Sequence, residues 1–83
     1  MDEKITVMLV DDQQLVRGGL KMLVDSQPDL QVVMEADDGA AAVDSYARLA
    51  EQGQAPNIVL MDVRMPVLDG LQAATRILEM HAP

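Results

Sequence analysis

The sequence contains no cysteine, no tryptophan and no phenylalanine, and only one tyrosine. Without cysteine there can be no disulfide, no thiolate metal site and no cysteine nucleophile, and this composition suits a reducing compartment. Because aromatic side chains are so scarce, the core must be built from Val, Leu, Ile, Met and Ala, and the seven Met make it adaptable. A chain of 83 residues predicts one small domain with a marginal core.

Positive charge is scarce as well, since six Lys and Arg residues stand against 14 Asp and Glu residues, a net charge of −8. Nucleic acid and anionic membranes repel a chain this acidic, so we expect it to contact neither directly. Hydrophobic runs are no more than about five residues long, far short of the roughly 20 that span a bilayer, and no signal-peptide pattern opens the chain. The sequence therefore predicts a cytoplasmic protein.

Three short segments have the composition of β-strands. The first, residues 4–10, and the third, residues 57–61, are apolar at both odd and even positions, which predicts strands covered on both faces of a sheet. The second, residues 30–36, is more mixed because it includes Gln31 and Glu35, and this favours an edge strand.

Apolar residues recur at helical spacing after each of these strands. We expect helices over residues 13–26, 39–52 and 69–80, the second ending at a C′ glycine, Gly53, and the third capped by Asp69. Gly18 and Gly19 weaken the first helix by about 1 kcal/mol each relative to Ala, and close packing on the sheet would account for them. The expected apolar faces are Leu15, Val16, Gly19, Leu20, Leu23 and Val24, then Val43, Tyr46, Ala47 and Ala50, then Leu71, Ala74, Ile77 and Leu78.

This alternation of strand and helix predicts an α/β fold built from parallel βαβ units with right-handed crossovers. In such sheets the functional residues lie at the carboxyl ends of the strands. Acidic residues follow all three predicted strands, in the order Asp11 and Asp12, Asp37 and Asp38, Asp62 and Asp69. Negative charge is thus concentrated where a site is expected.

Asp11, Asp12 and Asp62 would converge if the first and third strands were neighbours, about 4.8 Å apart. Each close pair of carboxylates would then cost up to about 4 kcal/mol at an effective dielectric near 20, unless a cation neutralised it. Mg²⁺ bound by carboxylates, a carbonyl and waters is the ordinary solution. The alternative for Asp11 and Asp12 is N-capping of the first helix, and Asp69 with Gly70 is interpreted as a turn and helix cap.

Three segments resemble the receiver domain of bacterial two-component response regulators: VDDQQLVRGGL at 10–20, EADDGAAAV at 35–43 and VLMDVRMPVLDGLQAA at 59–74. The combination of an acidic pair, a lone Asp and the MP and DG that follow it is specific. The first segment is similar to the NarL-type (LuxR-family) subfamily, whose members carry a C-terminal helix-turn-helix DNA-binding domain. The resemblance implies a flavodoxin-like sheet in which these three βα units have the strand order 2-1-3.

The resemblance also implies a chemistry for the acidic residues. Asp62 would be the phosphoacceptor, taking a phosphoryl group from the phosphohistidine of a sensor histidine kinase and, in the intact protein, controlling the DNA-binding domain. Asp12 would ligate Mg²⁺ directly and Asp11 through water, with Asp62 and the backbone carbonyl of Arg64 completing the protein ligands. Phosphoryl transfer through a loose transition state needs an in-line nucleophile and positive charge on the equatorial oxygens, which agrees with this assignment.

A receiver of this family has five strands in the order 2-1-3-4-5. Residues 1–83 are therefore expected to be the N-terminal portion of a receiver, without the hydroxyl residue that ends the fourth strand or the lysine that ends the fifth. Lys4 lies more than about 20 Å from the acidic end of the first strand at about 3.3 Å per strand residue, and Lys21 lies roughly 12 Å from the site at about 1.5 Å per helix residue. Both are too far away to replace that lysine. One alternative is a phosphorylation-incompetent fragment that acts only through self-association or kinase docking.

The third predicted strand would be an open apolar edge in this chain, and such edges recruit partners. We therefore expect a homodimer or a domain-swapped oligomer rather than a monomer. A Mg²⁺-dependent aspartyl-phosphate hydrolase is a further alternative, but it would need a second acid two residues after Asp62, where Arg64 stands. The sequence is thus expected to be a phosphoacceptor and not an enzyme.

Overall fold

A computed structural model describes residues 4–62 and 70–81 of the chain. The elements alternate as β1 (Ile5–Val10), α1 (Gln14–Asp25), β2 (Leu30–Ala36), α2 (Gly39–Glu51), β3 (Ile58–Met61) and α3 (Gly70–His81). Each end lies within one residue of the predicted end. The helix cap predicted at Asp69 lies outside the described residues.

The three strands form one parallel sheet in the order β2-β1-β3. Strand β1 is central, and its residues Val7, Met8, Leu9 and Val10 are at most 2% exposed. The predicted α/β fold with flavodoxin-like strand order 2-1-3 is confirmed, as is the position of β2 at an edge. Strand β3 forms the other edge of the described sheet.

Helices α2 and α3 cover one face of this sheet. The core on that face consists of Met8, Val10, Ala36, Ala42, Tyr46 and Ile77. Helix α2 buries Ala42 and Tyr46, whereas Ala50, which was predicted to be buried, is exposed because α2 packs mainly through its first two turns. Within the described ranges, no helix is both long enough and apolar enough for a transmembrane span.

The opposite face is covered by α1, because right-handed crossovers that step from β1 to β2 and then back to β3 place α1 and α2 on different sides. No residue of α1 is buried, and Leu15 is 92% exposed. On β3, Ile58 and Leu60 are 41% and 42% exposed. The prediction that β3 is covered on both faces is therefore wrong for the part of the chain that the structure describes.

The predicted apolar face of α3 is confirmed at Ile77, which is 7% exposed, and wrong at Leu71 and Leu78, which are each 67% exposed. Helix α3 buries Ala73 together with Ile77, because α2 packs against only one side of it. The packing prediction for the two glycines of α1 is wrong. A Cβ atom placed on Gly18 or Gly19 would meet nothing within 4 Å, so these glycines are not required by close packing on the sheet. The prediction for Gly53 is confirmed, since it follows α2 with a φ of 70°.

The register of β3 against β1 is fixed at the amino end by Asn57 and Thr6. The Asn57 side-chain oxygen accepts the Thr6 N–H at 2.9 Å, and the Asn57 N–H donates to the Thr6 carbonyl at 3.0 Å. At the carboxyl end the same register pairs Val10 with Met61. The residues that follow these two strands, Asp11 and Asp62, therefore leave the sheet side by side.

Candidate metal site at the carboxyl ends of β1 and β3

Three carboxylates form one acidic cluster, defined here as Asp11, Asp12 and Asp62. One carboxylate oxygen of each lies within 4.8 Å of the other two. The pairing of β1 with β3 causes this convergence, because the Asp62 N–H continues the ladder by donating to the Val10 carbonyl at 2.9 Å. Arg64, whose carbonyl is the fourth predicted ligand, lies outside the described residues.

The spacing of these oxygens fits a six-coordinate Mg²⁺ ion. Ligand distances of about 2.0–2.1 Å place neighbouring ligand oxygens about 3 Å apart and opposite ones about 4.2 Å apart. The oxygens of the cluster lie within 4.8 Å of one another, so small side-chain rotations, or a water between one carboxylate and the ion, would bring them to these distances. Asp11 and Asp62 are half-buried and Asp12 is exposed, so the ion could keep several waters. The donor set therefore suits this hard cation.

Asp11 is held at three polar groups. Its N–H donates to the Ala36 carbonyl at 3.1 Å, one of its carboxylate oxygens accepts the Gln13 N–H at 2.8 Å, and its carbonyl accepts from Arg17 Nη1 at 2.5 Å. The N-cap residue of α1 is Gln13, and its side chain makes no capping hydrogen bond. Neither Asp11 nor Asp12 is therefore the N-cap that the alternative interpretation required.

Arg17 is a contributor to this end of the sheet that the sequence analysis missed. It lies in the first turn of α1, its side chain is 15% exposed, and its Nε lies 3.1 Å from Oε1 of Glu35 on β2. Helical geometry could have predicted this contact, because side chains point toward the N-terminus of a helix. A long cationic side chain in the first turn after an acidic pair can therefore reach back to the end of the strand. Arg17 thus connects Asp11 to β2.

The acidic residues after β2 lie outside the cluster. Asp38 is the N-cap of α2, and its side chain accepts the Ala41 N–H at 2.7 Å. Among the described residues, the carboxylates that could share a cation do not include Asp37 or Asp38. Asp69, the remaining acid of the predicted group, is not among the described residues.

Comparison with protein families adds an independent observation. Residues 7–83 match the model of the response regulator receiver domain. The transcriptional regulatory protein LiaR of Bacillus subtilis is 41% identical over 73 residues, which cover 88% of this chain and 32% of LiaR. The chain therefore spans about a third of this curated relative.

Solved structures agree with this match. The receiver domain of the response regulator NarL from Mycobacterium tuberculosis has a TM-score of 0.81 at 36% identity, over 98% of this chain and 61% of that one. A chain of the CheX-CheY-BeF3-Mg²⁺ complex from Borrelia burgdorferi has a TM-score of 0.83 at 27% sequence identity, and the match covers 94% of this chain and 55% of that one. A chain of the complex between the CheA3 P1 domain and CheY6 from R. sphaeroides has a TM-score of 0.65 at 35% sequence identity, and the match covers 83% of this chain and 50% of that one. Fold, acidic cluster and sequence agree, and the chain belongs to the response regulator receiver domain family, with NarL-type regulators among its relatives.

Proposed function

We propose that this chain is the phosphoacceptor portion of a cytoplasmic two-component response regulator. A phosphoryl group would move from the phosphohistidine of a sensor histidine kinase to a carboxylate oxygen of Asp62, so that the P–N bond breaks as the P–O bond forms. The observation that carries the proposal is the acidic cluster at the ends of two neighbouring parallel strands. Support also comes from a relative solved with BeF3 and Mg²⁺ and from another solved with a CheA3 domain.

Asp11, Asp12, Asp62 and the Arg64 carbonyl would hold Mg²⁺. When bound, the ion supplies positive charge to the phosphoryl oxygens and offsets the repulsion within the cluster. The chain itself presents the nucleophile: the backbone of Asp62 is tied to Val10, and its side chain is half-buried beside Asp11. This placement orients the carboxylate before the phosphodonor arrives.

The regulatory output is proposed to be transcriptional. LiaR is by name a transcriptional regulatory protein, and it is about three times as long as the stretch that this chain matches. In the intact protein, phosphorylation of Asp62 would control a C-terminal DNA-binding domain. The receiver portion would not itself contact DNA, because its net charge of −8 opposes that contact.

Intact mass spectrometry after incubation with acetyl phosphate and Mg²⁺ tests the proposal. We expect one added phosphoryl group on the parent chain, none on Asp62→Asn and none in excess EDTA. Asp44→Asn is the matched control, because Asp44 is an exposed α2 residue paired with Arg48, and it should be phosphorylated like the parent. A phosphoryl adduct that survives in Asp62→Asn would contradict the assignment of the acceptor.

A second candidate function is self-association of a chain that is not phosphorylated. The exposed apolar residues on the α1 side favour it, since Met22 and Leu23 are 76% and 66% exposed, and Ile58 and Leu60 on β3, an edge strand of the described sheet, are 41% and 42% exposed. Large exposed apolar patches and open strand edges are typical of association surfaces. The chain would then form a homodimer or a domain-swapped oligomer, or dock on the kinase without accepting phosphate.

Light scattering over a concentration series distinguishes this candidate. We expect a species larger than the monomer for the parent, and a shift toward monomer for Leu60→Lys, which places a charge at the β3 edge. Leu71→Lys is the control, because Leu71 is exposed on α3, on the other side of the sheet. A monomer at high micromolar concentration would exclude self-association.

A further inference from the structure

Arg17 joins three elements at the carboxyl end of the sheet. From the first turn of α1, its Nη1 donates to the Asp11 carbonyl at 2.5 Å, and its Nε donates to Glu35 Oε1 at 3.1 Å. The guanidinium is a rigid planar group, so two bonds from one plane fix its position. The side chain of Arg17 is 15% exposed and that of Glu35 is 36% exposed. Glu35 on β2 therefore anchors the guanidinium through Nε, while Nη1 of the same guanidinium holds the carbonyl of Asp11, the residue that follows β1.

The carbonyl that Arg17 holds belongs to the peptide between two candidate Mg²⁺ ligands. The Asp11 N–H is already bonded to the Ala36 carbonyl. The Arg17 bond fixes the other backbone polar group of Asp11, so the peptide that leads to Asp12 cannot rotate freely. Asp12 is exposed, so the backbone has a larger part in fixing its direction than core packing does. The orientation of this peptide determines where the Asp12 carboxylate points.

We propose that Arg17 is a positioning residue for the cation site, and that it acts through the Asp11 carbonyl with Glu35 as its anchor. This inference rests on the proposed function of the acidic cluster and adds a residue that supports it. Outer groups that orient metal ligands typically change metal affinity by about 10-fold to 100-fold when they are removed. Arg17 would belong to this class of groups.

The positive charge of Arg17 and its positioning role predict opposite changes in Mg²⁺ affinity when the side chain is removed. A guanidinium bonded to the Asp11 carbonyl adds positive charge beside the cation site and repels Mg²⁺, so its removal would tighten Mg²⁺ binding if charge alone mattered. Positioning predicts weaker binding after the same removal. The sign of the change therefore separates the two effects.

Isothermal titration with Mg²⁺ measures this sign. We expect Arg17→Met to weaken Mg²⁺ binding by about tenfold. Arg48→Met is the matched control, because it removes the same charge from an exposed α2 residue paired with Asp44, and it should leave the affinity unchanged. Glu35→Gln keeps an acceptor for Arg17 and should weaken binding less than Glu35→Ala. Arg17→Lys, which keeps the charge and one donor, should lose less affinity than Arg17→Met, and it serves as the test variant if Arg17→Met does not fold.

A second readout needs no metal. In EDTA, we expect the Asp11 carbonyl carbon and the Asp12 amide to change chemical shift in Arg17→Met, and to stay unchanged in Arg48→Met. Equal or tighter Mg²⁺ binding by folded Arg17→Met would overturn the proposal. If the parent chain binds no Mg²⁺, the proposed function of the cluster fails, and unchanged shifts in EDTA would then separately overturn the positioning of the Asp11–Asp12 peptide by Arg17.

Discussion

The carboxylate of Asp25 accepts the backbone N–H of Val32 at 2.9 Å, and the same carboxylate accepts a hydrogen bond from Lys21 Nζ at 2.8 Å. Asp25 is the last residue of α1, and Val32 lies where β2 slips against β1, since the next β2 residue in register is Met34. The end of α1 therefore satisfies a donor on an edge strand at an irregular point of its pairing.

This arrangement predicts that the pKa of Asp25 depends mainly on Lys21. The pKa of Asp25 lies below its ordinary value, first because of the Lys21 hydrogen bond and second because of the Val32 N–H. Since the folded-state pKa is lowered, the stability that Asp25 contributes is present above the unfolded pKa, and it is lost as the pH falls through the folded pKa. We expect Lys21→Met to raise the pKa of Asp25 in an NMR titration of its carboxyl carbon.

Arg48→Met is the control for this titration, because it removes a cation that pairs with Asp44 on a different helix, and the pKa of Asp25 should not change. The Lys21 ammonium gives the reciprocal effect: its pKa is raised above 10.5, chiefly by the hydrogen bond to Asp25. The stability that Lys21 contributes to the fold is therefore fully present below its unfolded pKa, and it is lost as the pH rises through its folded pKa. An Asp25 pKa that stays low in Lys21→Met would assign the shift to the Val32 N–H instead.

Gly18 and Gly53 should respond to the same substitution with opposite signs. Gly18 is exposed in α1, and a Cβ there meets nothing within 4 Å, so Gly18→Ala should raise the free energy of unfolding by about 0.5–1 kcal/mol. Gly53 follows α2 with a φ of 70°, which disfavours any Cβ, so Gly53→Ala should lower it by about 1 kcal/mol. Urea unfolding followed by circular dichroism measures both, and a stabilised Gly53→Ala would contradict its role in ending α2.

Local sequence patterns were sufficient to predict the elements, but not which side of each helix is buried. Strand composition, 3.6-residue periodicity and the C′ glycine are properties of a short segment, and the six elements follow from them. Burial depends on which element packs against the helix. Helix α3 has apolar residues on more than one side, and packing against α2 and the sheet selects Ala73 and Ile77 while Leu71 and Leu78 stay exposed.

The acidic cluster was predictable on the condition that β1 and β3 are neighbours, and the family resemblance, not local pattern, implied that strand order. Two parallel strands in register bring the residues after Val10 and Met61 together, so Asp11 and Asp62 converge whatever the side chains around them do. Arg17 was not predictable in the same way. Its role depends on one side chain reaching back from α1 and meeting Glu35, and that contact requires the relative position of α1 and β2.

Asp12→Asn should change stability in opposite directions without and with Mg²⁺. Two carboxylate charges 4.8 Å apart repel by about 3.5 kcal/mol at an effective dielectric near 20. Because Asp12 is exposed and screened, in EDTA the substitution should raise the free energy of unfolding by only about 1 kcal/mol. Mg²⁺ at 100 times its Kd would add about 2.7 kcal/mol to the parent. Mg²⁺ would stabilise Asp12→Asn less, because that variant lacks one ligand. Urea unfolding should therefore show Asp12→Asn as the more stable protein in EDTA and the parent as the more stable one in Mg²⁺. Asp29→Asn, at an exposed turn, should show no such reversal, and an unchanged order for Asp12→Asn would argue against a cation in the cluster.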